Sequence, residues 1–172
     1  MRRLILFRHG KAVPHDSAPD FERGLTARGM RESEAMGRYL AAEHILPDLA
    51  LISPSVRTVM TWQSAKVALG TFEERFEKAL YLATSDGLLR QIQGVQDSVM
   101  TLILVGHNPS LHDLSLELAG FGDRYALARL KEHLPTAAMV VLDCDIDHWS
   151  DLAARSARLE RFRTPDRADD PA

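Results

Sequence analysis

The chain has 172 residues, is 45% hydrophobic and 26% charged, and carries a formal net charge of −3 with a pI near 6.2. That length suits one domain with an ordinary core, and the charge offers no general attraction to nucleic acid or an anionic membrane, so any recognition of phosphate has to be local. The single cysteine, Cys144, excludes an intrachain disulfide framework and suits a reducing compartment; no apolar run reaches membrane-spanning length, and the four apolar residues after Arg3 are too few for a signal peptide, so a cytoplasmic location is expected.

Residues 4–10, Leu-Ile-Leu-Phe-Arg-His-Gly, begin as an uninterrupted apolar run and end in a cation, an imidazole and a glycine. This is the pattern of a strand buried on both faces that delivers reactive groups at its carboxyl end, where open α/β sheets bind ligands, with Gly10 expected to allow a sharp turn beside His9. Residues 11–23, with Pro14, Pro19 and three acids, lack a period and read as a loop over the sheet edge. Thr26 opens a helix with Met30, Met36, Tyr39 and Leu40 on one face, which ends before Pro47. Residues 49–53 form a second buried strand cut off by Pro54, and a helix from Ser55 carries Val56, Val59, Met60, Gln63 and Val67, with Gly70 as its stop.

Residues 76–81 are expected as a short strand, followed by a helix capped by Ser85 or Asp86 and bearing Leu88, Leu89, Ile92 and Val95. A third buried run, residues 101–105, ends in Gly106-His107-Asn108-Pro109, and the helix behind Pro109 shows Leu111, Leu114 and Leu118 up to Gly120. A short helix is expected over 125–130, a strand over 137–142 and an edge strand over 159–162. The alternation predicts a three-layer α/β sandwich with a mostly parallel central sheet over residues 1–162, and a polar, flexible tail over 163–172.

Arg8, His9, Arg57 and His107 all fall within a residue or a helical turn of a strand's end. Each alone is more simply a surface charge or a hydrogen-bonded core histidine. Together, at the carboxyl ends of buried strands, they make a phosphate site: arginine presents a planar fork of donors that matches phosphate oxygens, and a neutral imidazole is a competent nucleophile. Arg57 adds weight because it lies in the first turn of its helix, where free N–H groups and the dipole already favour an anion. A cation there makes more sense when a bound dianion sits between them.

Rival motifs fail on inspection. The run Asp143-Cys144-Asp145-Ile146-Asp147 starts like a calcium loop, but His148 and Ala154 hold its glycine and closing glutamate positions. Cys144 has Ser150, not arginine, six residues on, which argues against a cysteine-dependent phosphatase, and there is no Walker loop. Among seven histidines no pair shows the helical spacing of a zinc site, so no metal is expected, and His15, His44, His112, His133 and His148 read as ordinary surface or supporting residues.

Four motifs in order, Arg8-His9-Gly10, Leu25-Thr26-Ala27-Arg28-Gly29, Ser53-Pro54-Ser55-Val56-Arg57-Thr58 and Gly106-His107, resemble the histidine phosphatase superfamily, the phosphoglycerate mutase-like fold. The short length and the Gly106-His107-Asn108-Pro109 turn make the chain similar to SixA-type phosphohistidine phosphatases. The resemblance implies that His9 is the nucleophile that becomes phosphorylated, that Arg8, Arg57 and His107 surround the phosphoryl group, and that Arg23 is a further substrate-facing arginine. It implies no metal and no cofactor, since arginines take the place of magnesium. The implied partner is a phosphohistidine-bearing protein or a small phosphorylated substrate, with inorganic phosphate as product; a monomer is expected, with no nucleic acid or membrane partner. Two departures stand out. Lys11 holds a position where mutase-like members carry Glu or Gln, and residues 80–101 contain no convincing proton-donating acid, Asp86 being better read as a helix cap. The alternatives are a small-molecule phosphomonoesterase or mutase of the same fold, and a non-catalytic phosphate- or phosphoprotein-binding module, against which an intact His9 argues.

Overall fold

The computed structural model describes residues 1–165. In chain order the elements are β1 (Arg2–Arg8), α1 (Ala27–Ala42), β2 (Leu49–Ile52), α2 (Val56–Lys66), β3 (Glu73–Phe76), α3 (Ser85–Gln93), β4 (Thr101–Gly106), α4 (Ser110–Leu118), β5 (Ala119–Gly122), α5 (Arg124–Glu132), β6 (Met139–Cys144) and β7 (Ala157–Arg163). One sheet of order β3-β2-β4-β1-β6-β7-β5 runs through the middle. The pairs β2–β3, β2–β4, β1–β4 and β5–β7 are parallel, while β6 is antiparallel to both neighbours.

Alternation along the strands divides the core into two layers. Leu4, Leu6, Leu49, Leu51, Leu102 and Leu104 face α3, α4 and α5. Ile5, Phe7, Ala50, Ile52, Ile103 and Val105 face α1 and α2. Successive side chains point to opposite faces of a strand, so a run with both sets apolar can only sit between two helical layers, and the continuous runs of β1, β2 and β4 follow from that. The expected three-layer α/β sandwich with a mostly parallel sheet is the observed fold.

Several local expectations differ from the structure, each for a physical reason. The buried face of α2 is Arg57, Thr58, Thr61, Trp62 and Ala65, not the expected aliphatic stripe, and Val67 is 76% exposed. Its polar members are satisfied locally: Thr58 Oγ1 donates to the Ser53 carbonyl at 2.6 Å, and Thr61 Oγ1 donates to the Arg57 carbonyl at 2.7 Å while accepting from the Gly10 N–H at 2.9 Å. The strand expected over 76–81 does not form there: β3 lies earlier and ends at Phe76, and a 3-10 turn at Lys78–Leu80 takes its place. Thr84 caps α3, accepting from the Gly87 N–H at 3.1 Å, one residue before the expected cap.

β7 is not an edge, because β5, whose sequence Ala-Gly-Phe-Gly carries no strand signal, pairs on its outer side. The tail expected over 163–172 begins inside β7 at Arg163, which pairs with Met139, and its residues 166–172 lie outside the described residues. Gly10 is needed for a close approach rather than a turn: a Cβ there would lie 2.6 Å from the Gly29 carbonyl oxygen, so the strand exit presses against the start of α1.

Candidate active site

Sheet register brings the two histidines together. Arg8 of β1 pairs with Gly106 of β4, so the next residues, His9 and His107, leave the sheet side by side with ring centroids 5.5 Å apart. The His9 N–H holds this exit by donating to the Gly106 carbonyl at 3.1 Å. On the other side of β4, Ile52 pairs with Val105, which sets Ser53 beside His107, and His107 Nε2 lies 2.7 Å from Ser53 Oγ. Short buried strands with a fixed register thus place four side chains at one end of the sheet.

His9 Nδ1 lies 2.8 Å from the Gly10 carbonyl oxygen. A carbonyl can only accept, so Nδ1 carries the hydrogen and the lone pair is left on Nε2. Burial, with Arg8, Arg57 and Arg23 nearby, lowers the His9 pKa to about 4, and burial with His9 and Arg57 lowers that of His107 to about 3. At neutral pH His9 is therefore uncharged, the form that can act as a nucleophile. His107 Nδ1 is buried without a partner, as are Arg8 Nε and Arg57 Nε. The two arginine Nε–H groups are donors left free on residues that line one pocket, which suits it to an anion, and Asn108 Oδ1, an acceptor in the same lining, is also without a partner.

That pocket has a volume of about 520 Å³, and Arg8, His9, Arg23, Arg57 and His107, the five residues singled out from the sequence, all line it. Lys11 and His15 line it too, so His15 stands at the site rather than on an unrelated surface. Arg8 is anchored by Nη1 donating to the Leu134 carbonyl at 2.9 Å, and Asn108 Nδ2 donates to the same carbonyl at 3.0 Å. Asp86 is not among the lining residues.

Sequence reasoning missed Asp20. The loop of residues 11–23 does not run over the sheet edge; its base is tied by the Ala12–Leu25 bridge, and its 3-10 turn at Asp20–Glu22 reaches the pocket beside α2. Asp20 Oδ2 accepts from Arg57 Nη2 at 3.1 Å and from the Tyr81 hydroxyl at 2.6 Å, and Oδ1 accepts from Arg23 Nη2 at 3.0 Å. Arg57 Nη1 also donates to the Asp20 carbonyl at 2.7 Å. The Tyr81 hydroxyl, then Arg23, then Arg57 hold the Asp20 carboxyl well below the usual carboxylate range. Tyr81 stands edge-on to His107 at 5.7 Å and to Phe21 at 4.9 Å. The spacing of Asp20 and Arg23, three residues apart in a proline-bearing loop, was the one signal available for this cluster.

Cys144 is buried, its pKa pushed up to about 12 by burial and by Asp143, which removes it as a nucleophile. No helix is long and apolar enough to cross a membrane among the described residues.

The sequence matches no family model. It is 31% identical over 160 residues to an uncharacterized protein of Mycobacterium tuberculosis, covering 92% of this chain and 99% of that one. Among solved structures it is similar to an Agrobacterium tumefaciens protein assigned as the phosphohistidine phosphatase SixA, with 30% identity, a TM-score of 0.78, and coverage of 95% and 98% of the two chains. A Nakamurella multipartitia protein with the same assignment gives 26% identity, a TM-score of 0.82, and coverage of 95% and 96%. With the fold, the paired histidines and these relatives in agreement over nearly the whole length, the chain belongs to the histidine phosphatase superfamily and is a phosphatase of the SixA type.

Proposed function

We propose that this phosphatase removes phosphate from phosphohistidine on a protein, by way of a phosphohistidine formed on His9. His9 Nε2 attacks phosphorus in line while Arg8, Arg23, Arg57 and His107 hold the other phosphoryl oxygens. The substrate nitrogen takes the electron pair of the breaking P–N bond, and the ring leaves as neutral imidazole when its other nitrogen carries a proton. Water then attacks the phosphoryl group on His9, giving inorganic phosphate. In this second step His9 is itself the leaving imidazole, and its Nδ1 hydrogen, kept on the Gly10 carbonyl, meets the same requirement.

The observation that carries this reading is that no carboxyl group free to hold a proton lines the pocket among the described residues. Expelling an alkoxide calls for a positioned acid, which typically contributes about 100-fold to 10,000-fold. Asp20 is the one carboxyl group lining the pocket among the described residues, and three donors hold it ionised. Imidazole leaves without such help, since its ordinary pKa of about 6.5 makes it a far weaker base than an alkoxide. The site is therefore suited to P–N rather than alkyl P–O bonds.

The test compares turnover of a phosphohistidine protein, an aryl phosphate and an alkyl phosphate, with acid quench and mapping of the labelled enzyme. The expected order is phosphohistidine first by orders of magnitude over the alkyl ester, the aryl ester between, and acid-labile label on His9. Comparable rates on phosphohistidine and the alkyl phosphate would overturn it in favour of a small-molecule phosphomonoesterase.

A further inference from the structure

Arg23 and Arg57 are each only 6% exposed, and both belong to the phosphoryl pocket. Buried guanidinium groups need an acceptor, and Asp20 supplies it. Its two carboxylate oxygens and its main-chain carbonyl together take two donors from Arg23, Nη2 at 3.0 Å and Nε at 3.3 Å, and two from Arg57. A phosphoryl dianion entering the same pocket meets arginines already engaged and a carboxylate of its own sign beside them. Two anions cannot both draw fully on one set of donors, and each weakens the hold of the other.

We propose that Asp20 is the resident anion of the arginine clamp: it balances Arg23 and Arg57 in the empty site, competes with the phosphoryl group for their donors, and so sets the affinity for substrate and, above all, for product. This rests on the phosphatase reading and deepens it. Inorganic phosphate, the product, keeps all the oxygens that the arginines recognise, so a clamp without an internal competitor would retain it. Beside the bound dianion expected from the placement of Arg57 at a helix start, the Arg57 guanidinium thus has an anion of the protein's own. Tyr81 braces it from the far side, its hydroxyl on Oδ2 and its ring edge-on to Phe21, the residue after Asp20. The position of the competitor is thus built in rather than left to solvent.

The experiment measures binding of inorganic phosphate and of vanadate to the full chain by calorimetry, and thermal unfolding across a phosphate titration, for wild type, Asp20→Asn and Asp20→Glu. Asp20→Asn is expected to bind phosphate at least about tenfold more tightly, to be less stable without phosphate and to gain more stability from it than wild type. KM and the product-inhibition constant should fall together, with kcat lowered as phosphate release slows. Asp20→Glu, which keeps the charge, should return affinity toward wild type. If Asp20→Asn folds only in phosphate, the dependence of its unfolding midpoint on phosphate concentration still yields the affinity. Equal or weaker binding by Asp20→Asn would overturn the proposal and leave Asp20 a residue that merely orients the arginines. Failure of wild type to bind either anion would remove the phosphatase reading itself, a distinct result.

Discussion

The two walls of the pocket are built by different means. One wall comes off the sheet: Arg8, His9 and His107, with Ser53 buried behind His107, follow directly from β1, β2 and β4, and their spacing is set by backbone pairing between strands with 0–3% exposed hydrophobic residues. The other comes from loops: Asp20 and Arg23 line it, with Phe21 and Tyr81 behind them, and the four hold one another through side-chain hydrogen bonds and ring edges, with Arg57 at the start of α2 as the link. Register places chemistry with the rigidity of the core. A side-chain network places charge, and it can be rearranged one bond at a time. The difference suits a site in which one wall performs the bond exchange and the other sets how firmly anions are held.

The largest effect should come from breaking the sheet wall at its nucleophile. His9→Ala is expected to reduce turnover of a phosphohistidine protein by more than about a thousandfold, with phosphate affinity largely kept because Arg8, Arg23, Arg57 and His107 remain. Steady-state assay beside calorimetry on the same sample checks it, and a variant retaining most of the rate would end the covalent mechanism. At the link between the walls, Arg57→Ala removes donors to the phosphoryl group and leaves Asp20 with Arg23 and Tyr81 alone. A loss of roughly a hundredfold to a thousandfold in kcat/KM is expected, and phosphate binding, unlike that of His9→Ala, should weaken.

The same contrast explains what could be read from the sequence. Apolar runs with no polar interruption mark strands buried on both faces, and a motif placed right after such a strand inherits its position, so Arg8, His9 and His107 were legible together with the sandwich itself. Arg57 was legible because a cation in a helix's first turn conflicts with the dipole unless an anion is near. The aliphatic stripe of α2 misled because its buried face is polar where Thr58 and Thr61 tie the helix to strand ends, and hydrophobic period is blind to such bonds. Asp20 and Tyr81 sit 61 residues apart on segments without a period, and their meeting depends on how two loops fold over the sheet. β5 escaped for a related reason: two glycines in four residues give no strand propensity, and its pairing is decided by β7.

Acidification should separate the walls on a smaller scale. The folded-state pKa values of His9 and His107 lie at about 4 and about 3, below the ordinary 6.5, so between pH 6.5 and 4 the unfolded chain binds protons that the folded chain refuses. Stability from these two groups is complete above pH 6.5 and is lost as pH falls through that window, with a slope of at most about 1.4 kcal/mol per pH unit for each histidine. The Asp20 carboxyl, held below its ordinary 3.8, gives way only at still lower pH, so the sheet wall weakens first. Urea unfolding at pH 7, 5.5 and 4.5 would show this as falling stability, and His9→Asn should reduce the slope. A pH-independent stability over that range would contradict the burial of neutral imidazoles.

The smallest effects mark the limit of the loop wall, at the start of α3 a few residues past Tyr81. Asp86 is the acid that a search of the sequence alone comes nearest to nominating, yet it does not line the pocket, and Thr84 rather than Asp86 caps the helix by accepting from the Gly87 N–H. Asp86 stands in the first turn, where a carboxylate interacts with free N–H groups and the dipole; that is worth about 0.3–1 kcal/mol at an exposed site. Thr84→Ala removes a side-chain cap and should cost about 1 kcal/mol of stability. Both belong to the fold rather than the chemistry, so Asp86→Asn and Thr84→Ala should each leave kcat on phosphohistidine, aryl and alkyl substrates within about twofold of wild type while lowering the urea midpoint in the order Thr84→Ala, then Asp86→Asn. A large selective loss on the alkyl ester with Asp86→Asn would mean that a proton donor does reach the site from α3, and the preference for P–N bonds would lose its physical basis.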